Sequence, residues 1–377
     1  MDQSNESKNK SKRILTKLRN NNKETFSKLF NSHCPKSNYV QTRYPPQPRV
    51  IVFGDIHGDL QMAKSLLIKS GVAKFNGDNP RWTGGKTFVV QTGDQMDRCR
   101  PIGNMTCANK FTTANDEDSD LKILSIFTEL HNQAVKVGGS LISLLGNHEI
   151  LNAQGMVGYV SKKGIDAYKN YTDKFTGQTG RENAFKPGTV YGKHLGCNRS
   201  STVIIGSNIF VHAGIVDGLI EKLGMKGYED LDVINKSIRK WLMGLMDGEY
   251  IKDIIGGTKH SMFWTRILGK IPPGVSFNND VCKKHISQML QIFQVGSITV
   301  GHTPQSFLYS DDINGTCSGK VWRVDNGSSA AFDKFDKKYL STGQRDHSRR
   351  YQWLEIINDD VYNVCDERGC KKTVRMS

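Results

Sequence analysis

The chain has 377 residues, room for one large catalytic domain or two small ones, and 37% of them are hydrophobic, as in a soluble globular enzyme. Its longest apolar runs fall well short of a membrane span, and the start MDQSNESKNKSKR lacks the apolar stretch of a secretory signal, so membrane-spanning and secreted classes are not expected. The formal charge of +15 invites nucleic acid, but much of it sits at Lys8, Lys10, Lys12, Arg13, Lys17, Arg19, Lys23 and Lys28.

A basic tail of this kind attracts RNA, acidic membranes or acidic proteins nonspecifically, or simply stays solvated. Residues 1 to about 48 lack sustained apolar periodicity and end in Tyr44-Pro45-Pro46-Gln47-Pro48, where prolines stop helices. A disordered leader and Pro-rich linker are therefore expected over 1–48. Its basic, Ser-containing start is compatible with a mitochondrial presequence, although Asp2 and Glu6 stand against one. Eight cysteines are scattered without a CxxC pair, so reduced thiols in a cytoplasmic protein are the default expectation. Cys365 and Cys370 come nearest to a clamp, but a disulfide there is not indicated and a zinc ribbon is unsupported.

A catalytic domain is expected over 49–340, with 341–377 as an extension packed on it. Val50 to Phe53 reads as a buried strand closed by Gly-Asp, and Leu60 to Ser70 as a helix with Leu60, Ala63, Leu66 and Leu67 on one face. Thr87 to Gln91 is a second strand leading into Gly-Asp. The polar stretch Arg100 to Asp120, with its acidic run Asp116-Glu117-Asp118, reads as an exposed insertion. An amphipathic helix follows over Leu121–Val137, then a strand over Leu141–Leu145. Thr202–Ile205 and Asn208–Val211 read as paired strands, 215–295 as mainly helical, and Ile298–Val300 and Val321–Val324 as two further strands. No internal repeat is visible. This is an α/β chain with polar groups placed just after strand ends.

Five short segments carry those groups: Gly54-Asp55-Ile56-His57-Gly58, Gly93-Asp94-Gln95-Met96-Asp97-Arg98, Gly146-Asn147-His148-Glu149, Val211-His212-Ala213-Gly214 and Gly301-His302-Thr303. Each alone is weak evidence, since a lone Gly-Asp or Gly-His-Thr is usually a turn. Five in this order, each after a strand, are not. Carboxylate, imidazole and amide ligands without thiolates suit Mn²⁺, Fe or Zn²⁺. His131 and the other histidines outside these motifs read as surface or packing residues.

The order of the motifs resembles the calcineurin-like metallophosphoesterase superfamily. Asp97-Arg98 and Gly146 to Glu149 are similar to its phosphoprotein phosphatase branch. Glu149-Ile150-Leu151-Asn152 through Tyr159-Val160, with Phe263-Trp264-Thr265-Arg266, is most similar to the Shewanella-like protein phosphatases. The resemblance covers roughly residues 50–330. It implies a four-layer α/β/β/α sandwich with two central mixed sheets, and two metal ions at the strand ends, with Mn foremost and Fe or Zn as alternatives. Asp55 and His57 would hold one ion, Asp94 would bridge both, and Asn147, His212 and His302 would hold the other. A hydroxide activated between the two cations would attack phosphorus in line. His148 would be the general acid, oriented by Asp97. Arg98 and Arg266 would clamp the phosphate, with Asn147 also in contact with it.

Two departures from the family pattern stand out. Cys99 replaces the glycine after Asp-Arg, and Ala213-Gly214 replaces Gly-Gly. A thiol at Cys99 beside an arginine would be small filler, or, with its pKa lowered, an oxidisable group. The resulting expectation is a metal-dependent phosphatase for phosphomonoesters of the phosphoprotein Ser/Thr class, with no transmembrane segment. A nucleotide or phosphodiester hydrolase on the same scaffold, a non-catalytic metal-site scaffold, and a leader that tethers RNA are the alternatives.

Overall fold

The computed structural model describes residues 14–20, 26–309, 312–346 and 349–375, with the backbone alone from 371. Its strands, in chain order, are β1 (Arg43–Tyr44), β2 (Arg49–Phe53), β3 (Ala73–Asn76), β4 (Asn79–Trp82), β5 (Phe88–Gln91), β6 (Ser140–Leu144), β7 (Arg199–Ser200) and β8 (Thr202–Ile205). They continue with β9 (Asn208–Val211), β10 (Ser297–Val300), β11 (Asn314–Thr316), β12 (Val321–Arg323), β13 (Trp353–Ile357), β14 (Val361–Asp366) and β15 (Gly369–Arg375). One sheet runs β15-β14-β13-β2-β5-β6-β7 and the other β1-β8-β9-β10-β12-β11, while β3 and β4 form a separate hairpin. In the first sheet β2, β5, β6 and β7 are parallel; in the second β9, β10 and β12 are parallel.

Side-chain parity explains the layers. Successive residues of a strand face opposite sides of its sheet. Val50 and Val52 of β2 therefore join Val90, Leu144, Phe210, Trp322 and Tyr362 in the core between the sheets. Ile51 and Phe53 face the other way, onto Leu66 and Leu67 of the helix Leu60–Lys69 and onto Ile123, Phe127 and Leu130 of the helix Asp120–Val135. On the far side of the second sheet, Ile209, Val211, Ile298 and Val300 pack against the helices Tyr228–Leu242 and Asp280–Phe293. Trp322 and Tyr362 stack at 5.3 Å between centroids, joining the two sheets. With both faces covered, near-continuous apolar strands such as Val50–Phe53 are the expected sequence signature. This is the α/β/β/α sandwich.

Three regions correct or sharpen the sequence expectation. The described part of the segment expected as a disordered leader is packed. A helix over 14–20 buries Leu15 and Leu18 in the main core, and the helix Phe26–His33 buries Phe26 and Phe30 against Tyr39. Residues 1–13, which carry much of the basic run, lie outside the described residues. The stretch expected as an exposed insertion is indeed mostly exposed over 101–111, but its acidic run is tied down: Glu117 accepts hydrogen bonds from Leu60 N at 3.1 Å and Arg98 Nη1 at 2.8 Å, and Asp116 accepts one from Lys163 N. Half-buried, these two acids satisfy amides and a guanidinium while keeping part of their surface in solvent. At the C-terminus, β13 pairs antiparallel with β2, so the extension completes the first sheet.

The cysteine expectation is overturned. All eight pair, as Cys34–Cys197, Cys99–Cys107, Cys282–Cys317 and Cys365–Cys370. The first ties the N-terminal helices to the helix Val190–Asn198, 163 residues away in sequence. Cys99 is therefore neither free filler nor an oxidisable thiol. None of the described helices is long and apolar enough to cross a membrane.

Candidate metal centre

Parallel β2, β5 and β6 and parallel β9, β10 and β12 all end at one rim, where the five motifs meet. The loops bond directly to one another: Ile56 N and His57 N both donate to Asp94 O, at 3.0 and 2.8 Å, and Gly58 N donates to Gln95 O. Glu149 fixes the turn from beneath. Its carboxylate accepts from Gly146 N, Asp94 N and Gln95 N at 2.7, 2.9 and 2.8 Å, capping the helix Asn147–Ala153 as it does so. His57, Asp94, Asp97 and His302 all have φ between 49° and 68°, the left-handed region that side chains resist. Strain of this kind persists only where the surroundings over-determine the backbone, and it gathers at functional sites. Glycine is required where loops close on the carboxylates. A Cβ at Gly146 would lie 2.1 Å from Asp94 Oδ1, and one at Gly301 2.2 Å from Asp55 Oδ1.

Asp94 stands at the centre. Its Oδ1 accepts from His148 N at 3.0 Å. Its Oδ2 lies 3.3 Å from His212 Nε2, 3.8 Å from His57 Nε2 and 3.9 Å from His148 Nε2. Around it, Asn147 Oδ1 is 2.9 Å and His302 Nδ1 3.1 Å from His212 Nε2, while Asp55 Oδ2 is 3.8 Å from His57 Nε2. Two groups with metal-ligand atoms within 4.8 Å of one another result, His57/Asp94/His148 and Asp94/His212/His302, and they share Asp94. A third group, Glu355/Cys365/Cys370, offers no thiolate because its cysteines are joined to each other. All six residues expected as ligands are buried and converge here.

The donor set fits metal. Each imidazole has its outer nitrogen at a backbone carbonyl: His57 Nδ1 at Met96 O, His212 Nδ1 at Thr92 O and His302 Nε2 at Trp264 O, at 3.3, 2.9 and 3.2 Å. A proton held there leaves the inner nitrogen's lone pair facing the centre, as ligation needs. Burial, with the Arg100 charge next, pushes His57 well below its ordinary value; burial, with His212 and Arg266, does the same to His302. Burial followed by the charges of Asp325 and Asp94 pushes Asp55 well up. Burial opposes ionisation of Asp94 too, but the imidazoles of His212, His148 and His57 hold it well below the usual carboxylate range. Asp325, raised to about 6 chiefly by burial, keeps a buried Oδ2 without a hydrogen-bond partner. Crowded carboxylates, inward-facing imidazole nitrogens and an orphaned oxygen form a pattern that cations relieve.

Beside the candidate ligands, His148 Nδ1 lies 2.8 Å from Asp97 Oδ2. Asn152 Nδ2 donates to both Asp97 oxygens at 3.0 Å, and Arg181 bonds Asn152 Oδ1, Asp120 Oδ2 and Asp97 Oδ1 at 2.8, 2.8 and 3.4 Å. The imidazole is thereby fixed with Nε2 turned to the centre. The two expected clamp arginines part company. Arg266 Nη1 donates to His302 O at 2.6 Å, at the rim of the site. Arg98 is buried, and its Nη1 is engaged by Gly58 O and Glu117 Oε1 at 3.0 and 2.8 Å. Sequence reasoning missed Glu149, Asn152, Arg181 and the site-facing position of Asp325. Glu149 and Asn152 stood inside a quoted motif, whereas Arg181 carried no local signal.

The profile of the family described as calcineurin-like phosphoesterase matches residues 48–306, well over half of the chain. An uncharacterized protein of Acanthamoeba polyphaga mimivirus is 40% identical over 256 residues, 63% of this chain and 96% of that protein. Shewanella-like protein phosphatase 2 of Arabidopsis thaliana is 27% identical over 342 residues, 81% of this chain and 78% of the relative. Among solved structures, a cold-active protein tyrosine phosphatase superposes with a TM-score of 0.63 at 21% identity, covering 89% of this chain and 81% of that one, a likeness of fold. Fold, convergent metal-capable side chains and matched sequence agree: the chain belongs to the calcineurin-like phosphoesterase family, as a metal-dependent phosphatase similar to the Shewanella-like protein phosphatases.

Proposed function

We propose that the protein hydrolyses phosphomonoesters on phosphoproteins, with phosphoserine and phosphothreonine as substrates, at a dinuclear metal centre. The observation that carries this reading is the position of Asp94 Oδ2, within 3.3–3.9 Å of the inner nitrogens of His212, His57 and His148. Asp55 and His57 would hold one ion, Asn147, His212 and His302 the other, and Asp94 both. When bound, two such ions neutralise phosphoryl charge and activate a water as nucleophile. Mn, Fe and Zn all suit the O/N donor set.

The protein's own groups do the rest. His148 is placed to protonate the leaving oxygen from Nε2, with Asp97 stabilising the imidazolium and Asn152 and Arg181 holding Asp97 in turn. Arg266 stands at the rim, where its charge meets a dianionic monoester better than a monoanionic diester. The curated relatives named as protein phosphatases support a phosphoprotein substrate. The solved neighbours are named as tyrosine phosphatases, which makes phosphotyrosine the second reading. We read the four disulfides as a sign of maturation in an oxidising compartment, in place of the reducing cytoplasm expected from sequence.

The test compares p-nitrophenyl phosphate with its bis ester on the metal-loaded protein, then runs a panel of phosphoserine, phosphothreonine and phosphotyrosine peptides. Preference for the monoester and for phosphoserine or phosphothreonine peptides is expected. Preference for the diester would overturn the monoesterase reading, and preference for phosphotyrosine the Ser/Thr assignment.

A further inference from the structure

Resting on that phosphomonoesterase reading, we propose that Arg100, two residues beyond the Asp97-Arg98 pair, is the arginine that grips the phosphoryl group. Arg100 is half-buried, and its guanidinium carbon lies 5.1 Å from the ring centroid of Phe332 and 5.7 Å from that of Tyr159. Those two rings lead straight into the site. Phe332 meets the ligand His57 edge-on at 5.5 Å, and Tyr159 meets His148 edge-on at 4.9 Å. The guanidinium is thus held between the ring that covers one metal ligand and the ring that covers the candidate acid.

Its hydrogen bonding leaves a fork free. Nη1 donates to Asp97 O and Cys99 O at 3.0 and 2.7 Å, which folds the side chain back over its own turn. Among the described residues Nε and Nη2 have no partner, and Arg100 makes no ion pair. Yet the charges that bear on it are the site carboxylates Asp94, Asp97, Asp325 and Asp55. Arg98 differs in burial and charge: its Nε and Nη2 also have no partner among the described residues, but it is buried and its charge is met by Glu117 at 2.8 Å. A guanidinium whose charge is already met by a carboxylate gains less from a dianion, whereas one with no ion pair and with free N–H groups matches phosphoryl oxygens. Aromatic faces on a guanidinium hold it in place without using its donors. The backbone between the two arginines is pinned as well, by Cys99 N to Tyr159 O at 3.1 Å and by the Cys99–Cys107 disulfide.

The experiment uses the full-length, Mn²⁺-loaded protein with p-nitrophenyl phosphate as substrate and inorganic phosphate as competitive inhibitor. Manganese content is measured for every variant. Arg100→Gln is expected to raise the phosphate inhibition constant and KM by about tenfold or more, as loss of a charge-assisted fork should, with manganese content as in wild type. Arg100→Lys, which keeps charge but not the fork, should fall between. Arg98→Gln should act more on the thermal midpoint and less on the inhibition constant than Arg100→Gln. The proposal is overturned if Arg100→Gln leaves the phosphate constant within about twofold of wild type at equal manganese, or if Arg98→Gln weakens phosphate more. Failure of the phosphatase reading itself looks different: wild-type protein would take up manganese and yet neither hydrolyse the ester nor respond to phosphate. That outcome sinks both ideas before any variant is made.

Discussion

At the strand-end rim, Asp94 sits in a left-handed backbone and is fixed by hydrogen bonds to the loops that follow two other strands, β2 and β6; at the periphery, the helix Phe26–His33 is fixed by a covalent bond from Cys34 to Cys197. The rim concentrates buried charge and strain, and its groups come from short motifs. The periphery buries aromatic surface and is closed by a link that spans 163 residues of chain. The rim is therefore shaped for chemistry at some cost in stability, and the periphery for stability with no stake in chemistry. Substitutions in the two regions should separate cleanly into losses of rate and losses of midpoint.

The largest loss is expected at the shared carboxylate. Asp94→Ala should abolish both metal uptake and phosphatase activity, read by metal analysis beside p-nitrophenyl phosphate turnover; full metal content in this variant would break the comparison at its root. His148→Asn should keep the metal and slow turnover by about 10²–10⁴-fold with a poor leaving group. A near-normal kcat there would remove the acid assignment. One step further out, Asn152→Ala loosens Asp97, and a fall in kcat of about 10–100-fold is expected with metal content retained.

The peripheral arm has the opposite signature. Replacing both Cys34 and Cys197 by serine should lower stability by about 2–4 kcal/mol, seen in denaturant unfolding, while turnover below the midpoint stays near wild type. If turnover fell with stability, the two regions would not be independent. An effect that emerges only in acid concerns His131, buried beside Ser140, whose pKa burial lowers from 6.5 to about 4. Below pH 6.5 the unfolded chain takes up a proton that the folded one resists. Stability present above that pH is therefore lost as pH falls toward 4, by at most about 1.4 kcal/mol per unit crossed. His131→Asn should flatten this part of the midpoint-versus-pH curve.

How much could be read in advance follows the same division. The strand Val50–Phe53, the helix beginning at Leu60 and the convergence of Asp55, His57, Asp94, Asn147, His212 and His302 were legible because apolar runs and Gly-linked ligands are local signals. The disulfides were not, since pairing over 163 residues leaves no mark in spacing. The N-terminal helices were hidden because Leu15, Leu18, Phe26 and Phe30 sit in a basic, polar stretch whose stability comes from tertiary packing. β14 and β15 alternate apolar and polar residues weakly and form only because β13 extends the first sheet. The Asp97-Arg98 dipeptide points to an arginine at the site, but the pairing of Arg98 with Glu117, nineteen positions away, leaves no local mark.

Metal stoichiometry tests the central claim most directly. Protein purified, stripped with chelator and reloaded with Mn²⁺ should bind two ions per chain, and activity should appear with the second. Full activity with a single bound ion, or with none, would contradict a centre built around the shared carboxylate of Asp94.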